Sequence, residues 1–159
     1  MVMLKLAVVH RPSFIVSRLD LAMAEAVFAH EASQRGFDVK VDSAGTAAYH
    51  VGETPDARTV STCKAHAVPI NSRARQVRSS DFKHFDYIFA MDKNNLEGLQ
   101  REAGKVKDGK AKVMLFSAYG DKKPIADPYY GGQDGFEASY EQCTRYSREI
   151  LDKVMGPSA

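Results

Sequence analysis

Cysteine and long apolar segments are both scarce in this chain of 159 residues. Its two cysteines, Cys63 and Cys143, form no Cys-x-x-Cys pair and are not accompanied by clustered histidines. This argues against a disulfide framework or a structural zinc site, so we expect neither a metal nor a cofactor. No apolar run approaches the roughly 18 residues of a membrane span, and the run from Leu4 to Val9 is too short for a secretory signal. We therefore expect a soluble, cytoplasmic protein.

A marked excess of charge is also absent, since 22 basic residues stand against 20 acidic ones. One lysine cluster comprises Lys105, Lys107, Lys110 and Lys112. It has no interleaved aromatic residues, which favours a solvated connection over a nucleic-acid surface. The sequence therefore predicts neither a nucleic-acid partner nor a membrane partner.

Apolar runs typical of strands alternate along the chain with segments of helical periodicity. The predicted strands are residues 4–9, 39–44, 87–91 and 112–116. A first helix is predicted from Met23 to a stop at Gly36, and further helices at residues 56–66, 92–103 and 135–154. This alternation predicts an α/β fold with a parallel sheet covered on both faces, in which ligands bind at the carboxyl ends of the strands. With no repeat or linker, residues 1–159 are predicted to form a single domain.

Seven short strings occur in the order and spacing of one enzyme family. They are Met23-Ala-Glu-Ala-Val-Phe28, Val41-Asp-Ser-Ala-Gly-Thr46, Gly52-x-x-Pro55-Asp56, Ala74-Arg-Gln-Val77, Asp81-Phe-x-x-Phe-Asp-Tyr-Ile88, Met91-Asp92-x-Asn94-x-Leu96 and Asp127-Pro-Tyr-Tyr-Gly131. Each string alone is ordinary helix, strand or turn, but seven in sequence make an accident very improbable. The chain thus resembles the low-molecular-weight protein tyrosine phosphatases over nearly its whole length.

This resemblance implies a three-layer fold with a four-stranded parallel sheet, and hydrolysis of phosphotyrosine through a cysteinyl phosphate. The family holds the phosphate in a Cys-x5-Arg-Ser loop between the first strand and the first helix. The matching general acid is Asp127, and Tyr129 and Tyr130 correspond to aromatics at the mouth of the pocket. Ser43 matches a residue that supports the loop.

The segment that should carry this loop departs from the family pattern. Residues 10–22 contain no cysteine, and no glycine precedes Gly36. Counting from the predicted strand 4–9 puts His10 at the nucleophile position, and counting back from Met23 puts Asp20 at the arginine position. Counted in this way the segment is four residues longer than the family's. Ser17 with Asp20 resembles a helix start, which predicts a longer first helix that fills the phosphate pocket.

Two functions fit this mixture of match and mismatch. The chain is either a pseudophosphatase that binds an unknown protein partner, or an active phosphatase whose N-terminal segment is a sequence or gene-model error. In the second case the partner is a phosphotyrosine protein or an aryl phosphate. Arsenate reduction would need the same thiolate and is disfavoured. Cys63 and Cys143 lie in predicted helices without the motif, so they are interpreted as core residues, and His10 as a structural or solvated histidine.

Overall fold

A computed structural model describes residues 13–17, 22–45, 52, 54–71, 75–125 and 132–157. The strands are β1 Ser13–Ser17, β2 Lys40–Ala44, β3 Tyr87–Ala90 and β4 Lys112–Leu115. The helices are α1 Ala22–Gln34, α2 Ala57–Ala65, α3 Asp81–His84, α4 Lys93–Gly104 and α5 Gly132–Val154. None of the helices within these ranges is long and apolar enough to cross a membrane. The assignment of residues 1–159 to one domain stays a prediction.

The strands pair in parallel in the order β2-β1-β3-β4. Ser13–Ser17 of β1 pair residue by residue with Lys40–Ala44 of β2, and β1 also pairs with β3. The parallel α/β class is therefore confirmed. A bridge between Gly45 and Gln76 extends the β2 side of the sheet beyond the end of that strand.

Two apolar cores lie on opposite faces of the sheet. Helices α1, α2 and α5 bury one core, in which Phe28, Phe116, Phe136 and Tyr146 are fully buried. Helices α3 and α4 bury the other. Within β3, Phe89 contributes to the first core whereas Ile88 and Ala90 contribute to the second, as the alternation of a strand requires. The structure therefore has three layers.

The first strand that the structure describes, β1 at Ser13–Ser17, was not predicted from the sequence. The predicted strand at residues 4–9 and His10 lie outside the described residues, so that strand stays a prediction. The prediction of a helix start at Ser17 is wrong, because Ser17 pairs with Ala44 and Ala90. His10 precedes β1 by three positions in the sequence, so it does not directly follow β1. The other strands and the main helices match to within about three residues at each end.

Candidate functional site

The strand order creates a crevice between β1 and β3, because the connections that leave these two central strands run toward opposite sides of the sheet. Ligands of open parallel sheets bind outside the carboxyl ends of the strands at such a point. Here those ends are Ser17 and Ala90, with Ala44 beside them on β2. Four residues, 18–21, separate β1 from α1. The carboxyl edge of the sheet, where a ligand is expected to bind, is therefore the edge that carries the short connection between β1 and α1.

Ser43 lies at this edge and is buried. Its hydroxyl donates a hydrogen bond to a carboxylate oxygen of Glu25, in the first turn of α1. Its backbone N–H donates to Asp42 Oδ1 at 2.9 Å. A carboxylate in the first turn of a helix is favoured by the partial positive charge there. Ser43, the one predicted site residue within the described ranges, thus ties β2 to the start of α1.

Arg75 continues this polar network toward the other face of the sheet. Its Nε donates to Asp42 Oδ2 at 2.8 Å, and its two terminal nitrogens donate to the carboxylate of Asp81 at 3.0 and 3.2 Å. Burial lowers the pKa of the guanidinium, but the hydrogen bonds and charges of Asp81 and Asp42 outweigh that effect and raise the pKa above its ordinary value. The Arg75 cation therefore holds two carboxylates together.

Backbone contacts place the chain before Asp127 at the same edge. Ile125 N–H donates to Met91 O at 3.1 Å, at the carboxyl end of β3. Met91 N–H donates to Asn95 Oδ1 at 3.1 Å, and Asn95 N–H donates to Asp92 Oδ1 at 2.7 Å as Asp92 caps α4. The chain after β4 therefore reaches the carboxyl end of the central strand β3 at Ile125, two residues before Asp127 in the sequence.

Both thiols lie in the first core, Cys63 on α2 and Cys143 on α5. Cys63 is 0% exposed and Cys143 is 1% exposed. Burial raises the pKa of Cys63 to about 11, and burial together with the nearby Cys63 raises that of Cys143 to about 12. The thiolate is the reactive form of cysteine, so these environments suppress nucleophilic chemistry. The interpretation of both cysteines as core residues is confirmed.

Several predicted site residues cannot be placed. His10, Asp127, Tyr129 and Tyr130 lie outside the described residues, so their roles stay predictions. The structure adds residues that the sequence analysis did not single out, namely Glu25, Arg75 and Asn95. Glu25 and Arg75 belong to the family strings given above, and Asn95 falls at an unspecified position of another string. The sequence therefore showed that these residues lie in family segments, but it did not show which residues they contact. Across the described ranges no group of three or more His, Cys, Asp or Glu could hold a metal ion.

Comparison with known proteins shows which family shares this sequence and fold. The sequence model "Low molecular weight phosphotyrosine protein phosphatase" matches residues 21–156. Phosphatases with that name from Schizosaccharomyces pombe and Homo sapiens are 44% and 42% identical, each over 83% of this chain and over 87% and 86% of their own lengths. A crystal structure of a Drosophila arginine phosphatase, 35% identical, has a TM-score of 0.82 over 89% of this chain and 96% of its own. The chain belongs to the low-molecular-weight phosphotyrosine protein phosphatase family.

Proposed function

We propose that the chain as written is a pseudophosphatase, a binding or regulatory module that keeps the family fold without phosphatase catalysis. The observation that carries this proposal is the connection between β1 and α1, which has four residues. A Cys-x5-Arg-Ser loop has eight, and the chain contains no cysteine before Cys63. That connection therefore has no cysteine to act as the nucleophile, and it is shorter than the family loop.

The physical demands of the family reaction support the same proposal. Successive N–H groups must converge on the phosphate, which requires glycine at positive φ, and no glycine precedes Gly36. Asp20, at the position matched to the arginine, would repel a phosphate dianion. Cys63 and Cys143 are buried thiols with raised pKa values and offer no replacement nucleophile. Asp127 is then a vestigial acid, and Tyr129 and Tyr130 are candidates for contact with a protein partner.

Hydrolysis of an aryl phosphate by the purified chain tests this proposal. We expect no vanadate-sensitive turnover, with the human relative as positive control, because loss of the nucleophile of such a unit costs many orders of magnitude in rate. Asp127→Ala should leave the background rate unchanged. Turnover within about tenfold of the human relative, or a clear loss of rate on Asp127→Ala, would overturn the proposal.

The alternative function is an active protein tyrosine phosphatase whose N-terminal segment is given incorrectly. The observation in its favour is that the family match begins only at residue 21. Sequencing the transcript separates the two proposals, since an active form must encode a Cys-x5-Arg-Ser loop before Met23. In either case the free thiols fit a reducing, cytoplasmic location.

A further inference from the structure

We draw no further inference here: the strongest candidate, the side-chain cluster of Asp121, Arg145 and Tyr146 that ties the turn after β4 to α5, carries no site, because its polar groups hydrogen-bond to one another and the segment that it would position, residues 126–131, lies outside the described residues.

Discussion

At the scale of single residues, Arg75 joins two carboxylates that belong to different elements of the fold. It reaches Asp42 on β2 and Asp81 at the start of α3, and the side chain of Asp81 is 8% exposed. We predict that Arg75→Ala lowers the free energy of unfolding by about 3 kcal/mol, because it leaves a buried carboxylate without its cation. Urea denaturation measures this change.

The matched control for Arg75 is Arg101→Ala, the same substitution on the exposed side of α4. It should change the free energy of unfolding by less than about 0.5 kcal/mol. Equal effects of the two substitutions would mean that the Arg75 network adds no net stability.

The buried thiols predict a loss of stability at alkaline pH. The folded state holds the pKa of Cys63 at about 11, compared with an ordinary value of 9.0. Between those values the Cys63 thiol has lost its proton in the unfolded chain but keeps it in the folded chain. The thiol therefore does not lower the free energy of unfolding below pH 9, but it lowers that free energy increasingly as the pH rises toward 11. The expected slope is about 1.4 kcal/mol per pH unit for each thiol.

Urea denaturation of the wild type and of the Cys63→Ala/Cys143→Ala variant between pH 8 and pH 11 checks this. The variant is less stable at every pH because of the cavities, but its stability should decline less steeply. Parallel declines would show that other groups, such as tyrosines and lysines, account for the whole effect.

At the scale of elements, helix α4 depends on its N-cap. Asp92 Oδ1 accepts the Asn95 N–H at 2.7 Å, and Asn95 in turn accepts the Met91 N–H. We predict that Asp92→Ala lowers the free energy of unfolding by about 1 kcal/mol, the usual effect of losing a helix cap. Asn94→Ala, on the exposed side of the same turn, should have an effect below about 0.5 kcal/mol. If the two substitutions are indistinguishable in urea denaturation, the cap does not stabilise α4.

The connection between β1 and α1 can be lengthened to test what else the site retains. We predict that exchanging residues 18–22 for a nine-residue Cys-x5-Arg-Ser-Pro loop restores weak, vanadate-sensitive hydrolysis of an aryl phosphate. The new loop would place N–H groups at the start of α1, where an anion is favoured. Activity should be weak, because a loosely held loop misplaces the reacting groups and so lowers the rate.

The control for this exchange is the same loop with serine in place of its cysteine, which should be inactive. A lengthened chain that melts cooperatively, yet neither hydrolyses the substrate nor binds phosphate, would mean that the remaining site has decayed as well.

At the scale of the whole molecule, a pseudophosphatase should not gain stability from phosphate. A ligand raises the melting temperature only by binding the native state, and the sequence before Gly36 contains neither the cysteine nor the glycine of the family's phosphate loop. We predict that about 10 mM phosphate changes the melting temperature by less than about 1 °C relative to sodium chloride of equal ionic strength. A saturating rise of several degrees would contradict this.

The sequence by itself determined the fold class, the family and the departure from the catalytic pattern. Periodicity is local, so α2, α4 and α5 could be recognised from their own residues, and Cys143 was assigned to the core and is buried. The absence of a cysteine before Cys63 can be read directly from the sequence. These properties depend on the order of residues along short segments, and no distant contact is needed to see them.

Only the tertiary structure decided that residues 13–17 form a central strand of the sheet. Their apolar character alone does not place them there, because the pairing depends on hydrogen bonds to β2 and β3, which lie far away in sequence. The same holds for the contacts of Arg75 with Asp42, 33 residues apart, and for the approach of Lys40 to Phe85. Strand pairing, buried ion pairs and charged surfaces are set by non-local contacts, whose energies no local pattern encodes.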